Sequence, residues 1–386
     1  MSSSRALQKP IETPAARAFE RSRLLSLDVF RGVAVAGMIL VNHPGNPRHV
    51  WPPLAHAHWN GCTLADLLFP AFLFIVGVAI AQSMSFRKQD AAARGALLRR
   101  ILIRTLTLFV LGLFLNAFPF FDLANLRIPG VLQRIAICYL LASLAFLGLS
   151  VTGQAMLTAG LLAAYWVLMT WVPVPGVGPG VLEPGSDLGA WLDRLLLGGH
   201  LAHGSWDPEG LLSTLPALAS TLMGVLAGHW MRGARSPTAK SVGLVVAGLA
   251  GIALGEWLGR WFPINKNLWT SSFAVFTGGT SALLFGLACW VVDVRKHRRP
   301  AVPFIVFGRN PIALYVLATL VAKLLDVVHV TQTNGTTRPL REVLYRHAFA
   351  SWAGPTAGSF LFALVFVAAW LVPMAALYRR GVFIRV

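Results

Sequence analysis

Apolar runs of about 20 residues recur along the whole chain, separated by polar, glycine-rich or proline-rich connections. Runs of this length are typical of helices that cross a bilayer, where every backbone polar group must be hydrogen-bonded within the helix. The pattern predicts an all-α, polytopic integral membrane protein, a bundle of about ten transmembrane helices. The expected helices cover about 25–43, 63–85, 100–118, 128–148, 155–172, 210–231 and 241–259, then one that ends near 292, one that begins near 303, and one over 357–378.

The charge distribution predicts how these helices are oriented. Only 12% of the 386 residues are charged, yet the formal net charge is +18. This charge could indicate nucleic acid, but Lys and Arg concentrate in alternate connections such as 86–99 and 295–299, which is the positive-inside pattern of membrane proteins. We therefore expect the lipid bilayer as a partner and no nucleic acid, with a cytosolic tail over 1–22 and one membrane domain over 23–386. Both termini are then cytosolic, and the outer segments are 44–62, 173–208 and 329–355.

Two common kinds of site are not indicated. The three cysteines, Cys62, Cys138 and Cys289, are odd in number and lack metal-ligand spacing, so neither a disulfide framework nor a metal site is expected. No glycine-rich phosphate loop occurs, and the many glycines lie in apolar runs, where they permit close helix packing.

The stretch His56-Ala-His-Trp-Asn-Gly61 is the strongest candidate for chemistry, because it places imidazoles directly before an apolar helix. A neutral imidazole can take a proton from an attacking amine near neutral pH, or can itself carry an acyl group. His56 is the preferred base, and His58 competes for that role. The alternative is that both are interfacial loop histidines bonded to backbone.

Two residues near this stretch have a catalytic and a structural interpretation each. Asn42, at the end of the first helix, could donate a hydrogen bond to a developing oxyanion, or it could cap the helix C-terminus. Asp66 could orient His56 through its other ring nitrogen. Because Thr63-x-x-Asp66 matches a capping box, Asp66 could instead only cap the second helix.

Candidate acceptor-binding residues lie in two further outer segments. Asp207 and Glu209 could bind a hydroxylated or cationic acceptor, although Asp-Pro-Glu also suits a helix N-terminus, with Asp207 at the N-cap. Asn265, Lys266 and Asn267 precede Trp269, a combination common at sugar sites and also at membrane interfaces.

Four arginines lie in or at the edges of expected spans, where a charged side chain is costly unless it is paired or functional. They could hold the phosphates of a cytosolic cofactor, because a guanidinium binds phosphate in a bidentate manner. Arg31 could instead pair with Asp28 one turn earlier in the same helix. The four candidates are Arg31, Arg104, Arg134 and Arg309.

Five sequence blocks in a fixed order resemble the heparan-alpha-glucosaminide N-acetyltransferase family and its bacterial relatives. The blocks are Leu27-Asp-Val-Phe-Arg-Gly32; His56-Ala-His-Trp-Asn-Gly61 with Asp66-Leu-Leu-Phe-Pro70; Arg127-Ile-Pro-Gly-Val-Leu-Gln-Arg134; Asp207-Pro-Glu-Gly210; and Pro263-Ile-Asn-Lys-Asn-Leu-Trp269. The resemblance, which covers about residues 23–380, implies transfer of an acetyl group from cytosolic acetyl-CoA to an amino sugar across the membrane. It also implies that His56 is the catalytic histidine and Asn42 the catalytic asparagine.

The combined prediction is a transmembrane acyltransferase of a bacterial inner membrane. Its co-substrate would be acetyl-CoA, entering from the basic cytosolic side, and its acceptor an amino sugar or related glycan at the periplasmic face. His58, Trp59 and Asn60 are placed with the acceptor, and a homodimer is possible. One alternative is a transporter of amino sugars or muropeptides without covalent chemistry. Another is a non-catalytic partner in envelope glycan assembly.

Overall fold

The computed structural model describes residues 24–85, 91–332 and 335–384, with the side chains of 91–93 left out. The expected tail over 1–22 lies outside these residues. The architecture is an all-α membrane bundle, as predicted. Its helices are α1 Leu25–Asn42, α2 Leu64–Met84, α3 Ala91–Ala117, α4 Val131–Gly148, α5 Val151–Trp171, α6 Leu188–Leu197, α7 Thr214–Arg232, α8 Pro237–Leu258, α9 Ser271–Cys289, α10 Val302–Arg309, α11 Pro311–Val327, α12 Leu340–Tyr345, α13 Pro355–Ala369 and α14 Leu371–Arg379.

Short elements complete these helices. A single turn of π-helix, Trp290–Val294, extends α9, and another, Arg346–Ala350, follows α12. Two short strands, β1 His329–Thr331 and β2 Thr337–Pro339, form an antiparallel pair with Val330 opposite Arg338.

Seven of the described helical segments are long and apolar enough to cross a membrane, and the bent pair α10–α11 would make an eighth. Helices α3 and α7 are long enough but fall outside this group. Helix α3 carries arginines at 94, 99, 100 and 104, and α7 is interrupted by Ser, Thr and His residues. The predicted total of about ten spans is reached only if both are counted, so that number stays a prediction.

Glycines let pairs of helices approach to backbone contact. A Cβ at Gly32 in α1 would overlap the carbonyl oxygen of Phe304 in α10, and a Cβ at Gly308 would overlap that of Asp28. Helices α1 and α10 therefore pack in opposite directions at the closest possible distance, as small residues allow in membranes. This contact brings Arg309 beside Asp28, with 3.2 Å between Nε and Oδ2.

The outer segments expected from the charge pattern meet at one end of the bundle, called here the site end. It comprises the connections 43–63, 118–130, 172–213, 259–270 and 328–354. Hydrogen bonds between these connections, and to the start of α13, are Gly61 N to Ile264 O, Trp59 Nε1 to Leu182 O, His200 Nδ1 to Leu126 O and Gly45 N to Ser359 O. At the opposite end, Cys289 Sγ lies 3.3 Å from Ser26 Oγ. The side of the membrane that each end faces stays a prediction.

Two local expectations were wrong. Helix α7 begins at Thr214, four residues later than expected, because Asp207 is bound elsewhere. The ninth expected span breaks at Asn310 with a bend of 77°. Asn310 holds this bend, since its side chain donates to Val382 O and accepts from Ile384 N–H.

Candidate active site

His56 and Asp66 form the centre of the site. Asp66 lies in the first turn of α2 and its side chain is 1% exposed, whereas the His56 side chain is 44% exposed. Their Nδ1 and Oδ1 atoms are 2.7 Å apart. An ionised carboxylate can only accept, so Nδ1 carries the hydrogen, and in the neutral ring Nε2 is left as an acceptor. The pair thus presents a basic nitrogen, in a defined orientation, at the site end.

Asp66 caps its helix as well as holding His56. Its second oxygen, Oδ2, accepts hydrogen bonds from the Thr63 backbone N–H at 3.0 Å, the Thr63 hydroxyl at 3.0 Å and the Ala57 N–H at 3.1 Å. The capping box expected from Thr63-x-x-Asp66 is present. The two interpretations of Asp66 are therefore compatible, because each uses a different carboxylate oxygen. The cap gives the carboxylate a fixed position, and so orients the imidazole.

Lys266 is the third member of this cluster. Its Nζ lies 3.1 Å from His56 Nδ1, 3.3 Å from His56 Nε2 and 3.7 Å from Asp66 Oδ1. Burial lowers the pKa of the Lys266 ammonium, and the carboxylates of Glu209 and Asp66 offset this only in part. A base, a carboxylate and a partly buried cation thus meet within hydrogen-bonding reach of one another.

The Lys266 loop is fastened to the His56 loop by backbone and amide hydrogen bonds. The Gly61 N–H donates to the Ile264 carbonyl at 2.7 Å, and the Asn265 amide donates to Asn60 Oδ1 at 3.1 Å. The amide oxygen of Asn265, which is fully buried, accepts from the Leu268 N–H within the same loop. Asn265 was expected to bind acceptor, but its NH₂ group joins the two loops and its oxygen fixes the turn of the Lys266 loop.

Trp269 was also expected at a sugar site or a membrane interface, and the structure contradicts both, because it is 1% exposed. Its backbone is in the left-handed region, with φ of 51°. The indole packs edge-on against Phe69 and Phe273 and donates to Ser220 Oγ. The guanidinium of Arg134 lies over the ring, 5.1 Å from its centroid. Trp269 thus anchors the Lys266 loop in the core.

Asp207 and Glu209 were expected to cap a helix or bind an acceptor, but both bind Arg127. Arg127 donates from Nε and Nη2 to the two oxygens of Asp207, at 2.8 and 2.7 Å, and from Nη2 also to Glu209. The Asp207 side chain is fully buried. Burial alone would lower the pKa of Arg127, but the Asp207 and Glu209 carboxylates reverse this and raise it. The cluster joins the connection before α4 to the connection before α7.

Replacing Arg127 by methionine should destabilise the protein strongly, because it leaves the buried carboxylate of Asp207 without its cation. Breaking a buried pair from one side costs about 3–5 kcal/mol, and the 30% exposure of Arg127 reduces this toward the lower value. The control is Arg338→Met, which breaks a half-buried pair with Glu342 and should cost about 1 kcal/mol or less, because the Glu342 carboxylate is 34% exposed and keeps its pair with Arg346. Melting temperatures of the detergent-solubilised variants measure the difference. Equal shifts would show that the Arg127 cluster does not hold the site end together.

The remaining acceptor candidates lie at the surface of the site end. His58 and Asn60 are exposed, and Asn267 is half-buried. Trp59 is half-buried, and its ring meets that of Trp206 edge-on at 5.3 Å. Asn42 is exposed at the end of α1, and within the described residues no hydrogen bond connects it with the His56 cluster.

The four candidate arginines are not brought together. Arg31 and Arg309 share Asp28 at the end opposite the site, with Arg31 Nη1 3.3 Å from Asp28 Oδ1, as expected. Arg104 lies in the middle of α3, over the ring of Tyr139. Arg134 is buried near the site end, where it donates to the Gly210 carbonyl and to Ser213 Oγ.

Several of these side chains have buried hydrogen-bonding groups without a partner. Within the described residues, Arg104 Nε, Gln133 Nε2 and both Nε and Nη1 of Arg134 are buried and have no hydrogen bond. Arg104 and Gln133 lie at the contact between α3 and α4, and Arg134, next to Gln133 in sequence, faces Trp269. Buried polar groups are normally satisfied, so these unpaired donors are suited to a polar ligand. Over the same part of the chain, no three His, Cys, Asp or Glu residues are grouped as a metal site requires.

Cys62, the nearest thiol to His56 in sequence, is not a competing nucleophile. Burial and the nearby Asp66 carboxylate raise the pKa of the Cys62 thiol to about 12. Lys266 lowers this pKa by a smaller amount. The thiol is therefore protonated near neutral pH and a weak nucleophile.

Reasoning from the sequence missed three charged residues of the site end. Arg127 opens one of the five motif blocks, but no local signal distinguished it from other arginines of the expected outer segments, such as Arg194 and Arg338. Asp187 and Asp193 line a cleft with Trp206 and Asn267, and burial raises the pKa of Asp193 to about 6. The amphipathic helix α6 that carries Asp193 was read as part of an irregular segment, because it is short and surrounded by glycine and proline.

Comparisons with known proteins agree with the resemblance seen in the motifs. Residues 23–261 match the family described as heparan-alpha-glucosaminide N-acetyltransferase, catalytic. The heparan-alpha-glucosaminide N-acetyltransferase of Mus musculus is 32% identical over 360 residues, which cover 78% of this chain and 54% of that protein. The Homo sapiens protein is 31% identical over 351 residues, covering 76% and 52%. The chain thus spans about half the length of these relatives, and it belongs to the heparan-alpha-glucosaminide N-acetyltransferase catalytic family.

Proposed function

We propose that the protein is a transmembrane acyltransferase that moves an acetyl group from acetyl-CoA to an amino sugar or related glycan. The observation that carries this proposal is the position of His56, with Nδ1 on the buried Asp66 and Nε2 beside Lys266. A base oriented by a carboxylate is the arrangement that proton transfer in acyl transfer requires. The names of the relatives, both N-acetyltransferases, support the same chemistry.

The transfer requires a neutral amine, since the lone pair of its nitrogen attacks the thioester carbon. As the carbon–nitrogen bond forms, Nε2 of His56 accepts the amine proton. When the carbon–sulfur bond breaks, the thiolate of CoA takes that proton and leaves. The same nitrogen also permits a second route, in which Nε2 attacks the thioester, carries the acetyl group and passes it to the amine.

Acetyl-CoA would bind along the bundle, from the end opposite the site toward His56. Arg31 and Arg309 are suited to its phosphates, because they place two guanidinium groups at that end and share the single carboxylate of Asp28. The unpaired donors of Arg104, Gln133 and Arg134 would meet the amide groups of its pantetheine arm. Entry would be from the cytosol, on the positive-inside argument, with transfer at the periplasmic face of a bacterial inner membrane.

The acceptor would bind among the exposed groups of the site end. His58, Trp59, Asn60 and Asn267 remain candidates, because each is at least partly accessible. Asp207, Glu209, Asn265 and Trp269 are assigned instead to holding the site, since their polar groups or rings are already engaged.

Incubating the purified protein with radiolabelled acetyl-CoA and a panel of amino sugars tests the proposal. We expect a labelled N-acetyl product from at least one amino sugar, and none from the matching sugar that has a hydroxyl group in place of the amine. Saturating acetyl-CoA should also raise the melting temperature, since a ligand at 100 times its Kd stabilises by about 2.7 kcal/mol. If no labelled product forms and vesicles containing the protein take up amino sugar without acetyl-CoA, the protein is a transporter. If neither occurs, it is a non-catalytic partner.

A further inference from the structure

We propose that Lys266 is a catalytic residue, which binds the acyl carbonyl oxygen of the donor as negative charge develops on it. This inference rests on the proposed acetyl transfer. It gives a chemical role to a lysine for which the sequence indicated only contact with a sugar.

The distances around His56 carry the inference. Nδ1 is bound to Asp66, so Nε2 is the ring nitrogen that takes part in the transfer, and Lys266 Nζ lies 3.3 Å from Nε2 and 3.1 Å from Nδ1. In the tetrahedral adduct, the attacking nitrogen and the oxyanion are bonded to the same carbon. The amine nitrogen hydrogen-bonds to His56 Nε2 as it loses its proton, so an ammonium that contacts Nε2 lies close to the oxyanion. Asn42, the other candidate donor, is exposed and lies outside this cluster in the described hydrogen bonds.

The cation is held in place before the reaction begins. The bonds from Gly61 to Ile264 and from Asn265 to Asn60 fasten its loop to that of His56, and buried Trp269 anchors the loop in the core. The Lys266 side chain is only 17% exposed. A fixed charge with little water around it stabilises a developing oxyanion more than a solvated one does, because it need not reorganise during the reaction.

The electron balance of the step is as follows. The amine lone pair forms the carbon–nitrogen bond, and the carbonyl π pair moves to oxygen, where the Lys266 ammonium stabilises it. The amine proton moves to His56 Nε2. The oxygen pair then reforms the carbonyl as the carbon–sulfur bond breaks, and the CoA thiolate takes the proton from Nε2. Lys266 keeps its own protons throughout, so its role is electrostatic.

Four titratable side chains from three parts of the chain face Lys266 and, together with burial, affect its pKa. These are His56 and Cys62 in the loop before α2, Asp66 in its first turn, and Glu209 in the connection before α7. Burial lowers the pKa of Lys266 despite the two carboxylates. The stabilising charge is therefore present below this lowered pKa and is lost as the pH rises through it. We expect kcat to fall at alkaline pH, and the fall should begin at a lower pH than the ordinary pKa of a lysine would give.

The test compares Lys266→Met, which removes the charge, with Lys266→Arg, which keeps it at all accessible pH values. Loss of one oxyanion donor lowers kcat by about 10²–10³-fold. We expect this loss in Lys266→Met, with acetyl-CoA binding by calorimetry unchanged. Lys266→Arg should retain more activity and lack the alkaline fall of kcat. The control is Lys323→Met, which removes another half-buried lysine, bonded to the Leu115 and Phe118 carbonyls, and should lower stability but not kcat.

Three results would overturn the role of Lys266. One is wild-type kcat in Lys266→Met. Another is an equal loss in the methionine and arginine variants when both bind acetyl-CoA and melt like the wild type. The third is a larger loss in Asn42→Ala than in Lys266→Met, which would return the oxyanion role to Asn42. Failure of the proposed function itself is distinguishable, because the wild-type protein would then give no labelled product.

Discussion

Replacing His56 by alanine should abolish most acetyl transfer while leaving acetyl-CoA binding nearly intact. The imidazole presents the free Nε2 lone pair that can accept the amine proton, and a positioned general base contributes about 10²–10⁴-fold. The loss would be larger if Nε2 carries the acetyl group. Binding should persist because the arginines proposed for the phosphates, Arg31 and Arg309, lie at the opposite end of the bundle. The measurements are kcat with radiolabelled acetyl-CoA and calorimetric binding of acetyl-CoA.

His58→Ala is the matched control for this variant. His58 is exposed two residues away, in the same loop, and within the described residues it has no hydrogen bond to Asp66 or Lys266. Its removal should have a milder effect, seen in the KM of the acceptor rather than in kcat. An active His56→Ala protein beside an inactive, well-folded His58→Ala protein would show that His58, and not His56, is the catalytic histidine.

Replacing Asp66 by asparagine should be nearly as damaging, although the substitution is almost isosteric. An amide that turns its NH₂ toward Nδ1 favours the tautomer with the hydrogen on Nε2, and the base then has no lone pair for the amine proton. The corresponding Asp-to-Asn change in the Ser-His-Asp triad lowers kcat by about 10⁴. We expect a loss on the order of 10²–10⁴ here, measured as kcat in the same assay.

Asp66 also caps α2, so the loss of the cap must be measured separately. Thr63→Ala removes the hydroxyl that donates to Asp66 Oδ2 and leaves the contact between Asp66 and His56 in place. It should cost about 1 kcal/mol of stability and little activity. If Thr63→Ala loses as much kcat as Asp66→Asn, the effect of Asp66 comes from the helix cap rather than from orienting His56.

Most of the fold could be predicted because the bilayer permits few structures. Apolar runs of suitable length must become helices, so α1 and α2 begin and end within a residue or so of their expected limits. The break at Asn310 could not be predicted, because it depends on Val382 and Ile384, which lie more than 70 residues away in the chain. The short helix α6 was missed, since a single amphipathic helix outside the membrane gives no long apolar run.

The candidate site was predicted in part. The pairing of His56 with Asp66 was open in the sequence, since Thr63-x-x-Asp66 is explained by capping alone. Only the structure shows that one oxygen of Asp66 binds His56 and the other caps the helix. The interpretation of Asp207 as a helix cap was wrong, because the local pattern did not include a distant partner. A local pattern favoured the cap, and Asp207 Oδ1 does accept from the Glu209 N–H, but Arg127, 80 residues earlier, binds both carboxylate oxygens as a bidentate pair, and the helix begins only at Thr214.

The sequence by itself determined the membrane architecture, and it predicted the sides of the connections and His56 as the main chemical group. These follow from local or periodic properties: hydrophobic length, charge placement and the proton affinity of an imidazole. Only the tertiary structure decided that Lys266 meets His56, that Trp269 is core, and that Asp207 is paired rather than free. Each of these depends on contacts between segments far apart in sequence. Such contacts are set by how the helices pack, which no local pattern contains.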